Sequence, residues 1–241
     1  MMNDLFAVIV IICVAAILQS ISGFGFSLLA MPLLSVVVDI REAVVIATIC
    51  GLFSNVVHVT KDHQLVERSI ARRISFSALL GMPLGVLLLS VFSAMQMRVC
   101  ISAVTIVLVV LMMFKFSIKK ENTKVDVVLG AISGVLATSV STNGPPLIFL
   151  LQSKRLDPSR FRATLAYVFT ISGCASFAVL MAAGKGSVAA FQFALLSIPS
   201  MYLGTLLGRR ARSAVTQEAF QRLTYVLLLT TATSTALAAF F

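Results

Sequence analysis

Long apolar stretches fill most of this chain, and they constrain its fold more than any other feature. Eight such stretches occur, and six have the size of a single membrane-spanning helix, about 20 residues. They are Leu5–Val38, Ala43–Val59, Ile74–Phe92, Val99–Phe114, Val125–Leu151, Ala163–Ala183, Val188–Leu207 and Leu223–Phe241. Only 12% of the residues are charged, about half the usual share in a soluble domain. The sequence therefore predicts an all-α polytopic membrane protein that is embedded in a lipid bilayer.

The first and the fifth of these stretches are interrupted by a polar, glycine-bearing break. The breaks run from Gln19 to Gly25 and from Thr138 to Pro146. Each arm beside a break has about 10–15 residues, or roughly 15–22 Å of helix, which is shorter than the hydrocarbon core of about 30 Å. Both stretches are therefore predicted to be broken helix hairpins, which either cross the bilayer or form re-entrant pairs of half-helices.

The positions of the basic residues predict how the chain crosses the membrane. Sixteen of the nineteen lysines and arginines lie in four groups, within residues 61–73, 115–124, 154–162 and 209–222. If every single-span stretch crosses once and each broken hairpin returns to its starting side, all four groups share one face. Arg41, Arg98 and Lys185 then lie on the other face, together with both ends of the chain. The positive-inside rule places the four groups in the cytoplasm, as expected for a multi-pass protein of the cell's inner membrane.

The chain also repeats one order of elements. Each half contains a broken hairpin followed by three single spans, and the two breaks lie about 120 residues apart. The segment Ala78–Pro83 is echoed at Ala194–Pro199, and in the topology above these segments run in opposite directions. The sequence thus predicts two inverted-topology repeats, residues 1–117 and 118–241, within a single membrane domain. Many secondary transporters have this architecture.

The second break has the residues expected at the start of a half-helix. Asn143 is a favourable helix cap, Gly144 permits an open backbone, and Pro145 suits the first turn because it has no N–H to satisfy. The half-helix is predicted to start near Pro145 and to run through Leu151. Its free N–H groups, from Leu147 onward, would face the break, and a helix N-terminus binds anions. Hydroxyl groups extend this predicted substrate-binding set, namely those of Ser139, Ser141 and Thr142.

The first break is predicted to play the matching part in the other half. A half-helix restarts near Phe26, after the candidate substrate-binding residues Ser20, Ser22, Gly23 and Gly25. Two half-helix N-termini that meet near the bilayer midplane would hold a small anion without a fixed cation. In both breaks, close packing of small residues between helices is the alternative interpretation. Asn55, in the next apolar stretch, either lines the same pathway or makes an interhelical hydrogen bond.

Several other classes of function lack the residues they need. No Asp or Glu lies deep in a predicted span, which disfavours a cation substrate and a carboxylate proton relay. The four cysteines lie inside apolar stretches without a CxxC pair, and we expect neither a metal site nor a cofactor. The basic residues lie in short loops rather than on one face of a soluble domain, so nucleic-acid binding is not expected.

Two alternatives to the transport of a small anion stay open. An intramembrane hydrolase would need a serine beside His58, but no GxSxG elbow occurs, and His58 should lie several turns from either break. A membrane assembly or accessory protein that moves no substrate would carry the same apolar stretches. The sequence favours a secondary transporter over an enzyme and leaves the oligomeric state open.

Three features of the chain occur together in one known family. They are the Gly23-Phe24-Gly25 motif followed by Pro32, the Ser-Thr-Asn-Gly-Pro-Pro run from Ser141 to Pro146, and the duplicated halves. In these features the chain resembles the sulfite exporter TauE/SafE family of membrane permeases over nearly its whole length. Many members have a denser glycine cluster at the first break than this chain, which has phenylalanines there. The resemblance implies transport of sulfite, sulfonates or related organic anions.

The grouping of the basic residues predicts which positions face the cytoplasm. Single cysteines placed at Lys120 and Arg210, with the natural cysteines removed, should resist an impermeant thiol reagent added outside intact cells. A cysteine at Lys185 should react. Labelling before and after disruption of the membrane measures this difference, and equal labelling at Lys185 and Arg210 would contradict the inverted arrangement.

Overall fold

The structure is a computed structural model that describes residues 2–22, 26–113, 123–154 and 156–211, with Val226, Leu229 and Thr233 from the last segment. The described residues form α-helices and one short 3-10 helix, His63–Leu65, without a strand. The α-helices are α1 (Met2–Ser22), α2 (Phe26–Val37), α3 (Ile40–Asp62), α4 (Arg68–Val91), α5 (Ala94–Met113), α6 (Thr123–Ser139), α7 (Gly144–Ser153), α8 (Pro158–Ala182) and α9 (Val188–Ala211). The predicted all-α fold is confirmed for this part of the chain.

Four of the described helices, α1, α4, α8 and α9, are long and apolar enough to cross a bilayer. Large hydrophobic side chains are exposed on their outer faces, such as Leu80 of α4 and Leu195 of α9. Large apolar patches are rare on water-soluble monomers, so these faces fit a lipid environment. The prediction of a multi-pass membrane protein is confirmed. The last predicted span, 223–241, lies almost entirely outside the described residues.

Both predicted breaks separate two helices. α1 ends at Ser22 and α2 begins at Phe26, whereas α6 ends at Ser139 and α7 begins at Gly144. The half-helix starts expected near Phe26 and Pro145 are therefore confirmed. α2 and α7 have 12 and 10 residues, or about 18 Å and 15 Å of helix. Each is about half as long as the hydrocarbon core is thick.

The first arm of the first hairpin is longer than the sequence predicts. α1 has 21 residues, or about 32 Å of helix, and can span the hydrocarbon core by itself. The expectation of a short arm is wrong for α1 because the polar residues near its end do not stop the helix. Gln19 is 4% exposed, and its side-chain amide is hydrogen-bonded to Ser54 and Asn55 of α3. A polar side chain that is satisfied in this way is tolerated inside a membrane helix.

The two halves pack together through pairs of helices in which each half contributes one helix. These pairs are called the exchanged pairs below. α4 packs most extensively against α6 of the other half, and α1 packs in the same way against α9. α3 of the first half packs against α8 of the second. In the predicted repeat, α1 matches α6, α3 matches α8 and α4 matches α9, so each of these contacts has a counterpart. The inverted orientation of the halves and their boundary at residues 117 and 118 stay predictions.

Glycines let the backbones of paired helices approach closely. A Cβ added to Gly134 of α6 would overlap the carbonyl oxygen of Ala78, and one added to Gly81 of α4 would overlap that of Ala131. In the other pair, a Cβ on Gly204 of α9 would press against a carbonyl oxygen of α1. Small residues at helix interfaces are the usual way to bring backbones together in a membrane, and here they fix both exchanged pairs.

Gly134→Ala should therefore destabilise the protein, because the new methyl group forces α4 and α6 apart. Overpacking of a filled core costs about 1–3 kcal/mol. Gly51→Ala is the matched control, since its Cβ would meet Ser27 at 3.5 Å, an ordinary contact. Thermal unfolding in detergent measures both effects. Equal unfolding midpoints for the two variants would show that the close approach of α4 and α6 contributes little.

A buried carboxylate joins α4, α6 and α7 at one end of the bundle. Asp126, in the first turn of α6, is 2% exposed. Its oxygens lie 3.0 Å from Nζ of Lys154 and 3.0 Å from Nη1 of Arg73. Arg73 belongs to α4, and Lys154 directly follows α7. As the sequence predicts, this carboxylate is at a helix end, and its two ion pairs fasten the half-helix α7 to the α4–α6 pair.

Asp126→Asn should leave the buried ammonium group of Lys154 without a full counter-charge. Removing one partner of a buried ion pair costs about 3–5 kcal/mol, so the variant should unfold at a markedly lower temperature in detergent. Adding Lys154→Met should restore part of the loss. Glu67→Gln is the control, because it breaks the exposed ion pair with Arg160, whose expected contribution is about 0–1 kcal/mol. Similar unfolding of Asp126→Asn and Glu67→Gln would contradict this role.

Candidate functional site

Two adjoining cavities lie where α2, α3, α7 and α8 meet, beside the second break. Their empty volumes are about 300 Å³ and 340 Å³, including the space that opens to solvent. Both are lined by the same five residues, Ser27, Gly51, Asn55, Asn143 and Phe169. Because of this shared wall they form one candidate site, called below the paired cavities.

The N-terminal residues of both half-helices line the paired cavities. Phe26 and Ser27 open α2, and Gly144, directly after Asn143, opens α7. The first N–H groups of an α-helix have no partner within the helix, and a helix N-terminus carries about half a positive charge. Two such ends beside one space favour an anion there.

The loop between α6 and α7 is held by hydrogen bonds to the surrounding helices. Ser141 has a left-handed backbone (φ 52°), which is uncommon for a residue other than glycine. The next residue, Thr142, donates its backbone N–H to the carbonyl oxygen of Leu136 at 3.1 Å. The Ser141 and Thr48 hydroxyls lie 3.1 Å apart. Thr48 donates its proton to the carbonyl oxygen of Val44, so Ser141 donates to Thr48.

Asn143 connects the start of α7 with α6 and α8. Its side-chain nitrogen donates to Oγ of Ser172 at 2.9 Å, and its backbone carbonyl oxygen accepts from the Ser133 hydroxyl at 3.0 Å. Ser172 in turn donates to the carbonyl oxygen of Val168 at 2.7 Å, which leaves its oxygen free to accept from Asn143. The half-buried Asn143 is thus fixed on both sides while it lines the paired cavities.

A second amide is fixed on the opposite wall. Ser54 donates to Oε1 of Gln19 at 2.6 Å, and Nε2 of Gln19 donates to Oδ1 of Asn55 at 3.1 Å. Because the side-chain oxygen of Asn55 accepts from Gln19, its side-chain nitrogen is the group that remains to donate into the cavities.

The described lining of the paired cavities contains no Asp, Glu, Lys, Arg or His. The polar lining residues are neutral hydroxyl and amide groups. Apolar side chains complete the walls, among them Leu52, Ala137 and Phe169. Within the described residues, no group of three or more His, Cys, Asp or Glu is placed to hold a metal ion. The described lining therefore presents hydrogen-bond donors and helix dipoles to an anion rather than a fixed cation.

Five of the predicted substrate-binding residues line the paired cavities, namely Asn55, Ser141, Thr142, Asn143 and Gly144. Asn55 lines the paired cavities and also makes an interhelical hydrogen bond with Gln19. Its place on a substrate pathway stays a prediction.

Other predicted residues lie elsewhere or outside the described part of the chain. Ser20 lines neither cavity and faces Gly208 of α9. Ser139 is buried and donates to the carbonyl oxygen of Val135 at 2.7 Å. Gly23 and Gly25 lie outside the described residues, as do the side chains of Ser22 and Pro145.

Several lining residues were missed by the sequence analysis. Thr48 and Gly51 lie on the same face of α3 as the predicted Asn55, and one face of α8 contains Phe169, Gly173 and Ser176. Positions three or four residues apart face the same side of a helix. Small or polar residues at this spacing in two apolar stretches were the available signal.

Residues 8–235 match the sequence profile of the family described as Sulfite exporter TauE/SafE. A curated relative, the probable inner membrane transporter protein TsaS of Comamonas testosteroni, is 33% identical over 97 residues, covering 40% of this chain and 41% of the relative. The probable sulfite/organosulfonate exporter TauE of Cupriavidus necator is 31% identical over 83 residues, covering 34% and 32%.

The matched regions thus span less than half of either curated relative. No solved structure matches the chain. The family match, in contrast, extends over nearly the whole chain and agrees with its apolar membrane-crossing helices. The chain belongs to the sulfite exporter TauE/SafE family, whose members are membrane transporters and not enzymes.

Proposed function

We propose that this protein is a secondary transporter that binds a small oxyanion, sulfite or an organosulfonate, in the paired cavities. The observation that carries the proposal is the position of α7. Its N-terminus opens on a polar space inside the bundle rather than on lipid or a packed core. A helix end that stabilises negative charge and lines a cavity is suited to an anionic ligand.

The composition of the walls supports an anion over a cation. Cation sites in membrane proteins commonly use intramembrane carboxylates, and the described lining has none. The neutral donors suit the oxygen atoms of a sulfite or sulfonate group. The printed names of the two relatives, a transporter and a sulfite/organosulfonate exporter, support the same chemistry.

The proposal gives roles to particular residues. Asn55, Ser141, Thr142, Asn143 and Gly144 contact the substrate or shape the space that it occupies. The second half-helix, α2, contributes its N-terminus from the other side. Residues 1–117 and 118–241 act as inverted repeats that alternately open the site to the two faces, with the four basic groups of loops in the cytoplasm.

The test compares substrate binding and flux for variants at the start of α7. Asn143→Ala should weaken sulfite binding about five- to a hundredfold, since a polar group is lost from a desolvated site. Asn143→Asp should weaken it further, because a carboxylate in the cavity repels an anion. Gly144→Leu should block the space. Gly144→Ala should have a smaller effect, as its Cβ would meet Phe169 at 3.6 Å.

Binding is measured in detergent by calorimetry, and flux is measured by counterflow of labelled sulfite in proteoliposomes. Ala178→Leu on the exposed face of α8 is the control for added bulk and should bind like the parent. Parent-like binding by both Asn143→Ala and Gly144→Leu would place the site elsewhere. Absence of flux for sulfite and for organosulfonates in the parent would support an accessory role instead.

A further inference from the structure

Ser176 is a buried hydroxyl group that the fold leaves unused. It lies on α8, is 2% exposed and lines the first of the paired cavities, opposite Thr48 and Asn55 of α3. Its oxygen has no hydrogen-bond partner among the described residues. A buried hydroxyl without a partner destabilises a protein, so its position in the cavity wall indicates that a ligand supplies the partner.

The neighbouring hydroxyl groups differ from Ser176 in one respect: their protons are already used. Thr48 donates to the carbonyl oxygen of Val44, and Ser141 donates to Thr48. Thr142 donates to the carbonyl oxygen of Val140 at 3.0 Å. Of the hydroxyl groups in the described lining, only those of Ser27 and Ser176 remain uncommitted donors. Together with the side-chain NH2 group of Asn55, they add side-chain donors to those of the helix N-termini.

The charge of the ligand follows from two free energies: the cost of removing the ion from water and its attraction to the dipoles of the site. Removing an ion from water costs a free energy that grows with the square of its charge, so a dianion loses roughly four times the hydration of a monoanion of equal size. Its attraction to fixed dipoles grows only in proportion to charge, about twofold. Neutral donors and helix ends therefore compensate a monoanion far better than a dianion.

We infer that Ser27, Asn55 and Ser176 form a donor cluster that binds a singly charged oxyanion and rejects a doubly charged one. This inference rests on the proposed function and goes further, since it names the charge state and two binding residues outside the break. A sulfonate, which carries one charge, fits the cluster, and sulfite fits it as singly charged hydrogensulfite. Sulfate, which carries two, should be excluded although it has a similar shape.

Perchlorate and sulfate, two tetrahedral ions that differ chiefly in charge, test the charge selectivity of the parent protein, and methanesulfonate represents the sulfonates. Perchlorate, sulfate and methanesulfonate are titrated separately into the full chain in detergent, at constant ionic strength, by calorimetry. Perchlorate and methanesulfonate should bind, and sulfate should bind at least about tenfold more weakly, a difference that such titrations resolve. Sulfate binding as tight as that of perchlorate would overturn the charge selection.

Alanine variants test the donor cluster. Ser176→Ala and Ser27→Ala should each weaken methanesulfonate binding about ten- to a hundredfold, as expected for a lost hydrogen bond to a charged ligand. Ser75→Ala and Ser102→Ala are matched controls, because these hydroxyls are also buried without a partner in the described residues but line neither cavity. Parent-like binding by Ser176→Ala would overturn the assignment of Ser176.

The two proposals fail in different ways. If sulfite binds and Gly144→Leu abolishes binding while sulfate competes as well as perchlorate, the transport site stands and the charge selection is wrong. If no anion binds to the parent, the proposed function fails together with this inference. The titrations of the parent protein need no variant, so the selectivity is tested even if Ser176→Ala does not fold.

Discussion

The backbone groups that are freed at the two helix breaks impose the constraint on which the rest of the structure depends. A bilayer core has no water to satisfy them, so protein or an enclosed polar space must do so. At the second break, the Thr142 N–H is donated to Leu136 and the Asn143 carbonyl accepts from Ser133. Gly144, the first residue of α7, lines the paired cavities, and the two prolines that follow it have no N–H to satisfy. A break of this kind is stable only in the interior of the bundle.

The exchanged helix pairs create that interior. Contact between the backbones of α4 and α6 requires glycine at Gly81 and Gly134, and α9 meets α1 in a similar way through Gly204. α3 and α8 then pack against each other between the two breaks and present their polar faces to the same space. The buried Asp126 fastens the far end of α7 through Lys154. The half-helix is thus held at both ends by contacts outside its own short length.

A site built from neutral donors suits the proposed transport. A carrier must release its substrate as well as bind it, and a buried cation would hold an anion against release. In the proposed mechanism, small movements of α2 and α7 relative to α3 and α8 would make and break the hydrogen bonds to the substrate. The amides of Asn55 and Asn143 are fixed by hydrogen bonds, and the apolar ring of Phe169 lies beside them in the cavity wall.

The sequence by itself determined the membrane class, the two breaks and the starts of both half-helices. These follow from local physics, because apolar length sets spanning helices and an Asn-Gly-Pro run stops one helix and starts another. It also identified Asn55 and the residues from Ser141 to Gly144. The tertiary structure decided the rest. Gln19 continues its helix because it has distant hydrogen-bond partners in α3. The packing of helices from the two halves determines that Ser20 lies against α9 and that Ser176 faces the cavities. The sequence does not show which way a hydroxyl group in an apolar stretch points. The neighbouring helices decide whether it bonds to backbone, packs at a helix interface or lines a cavity.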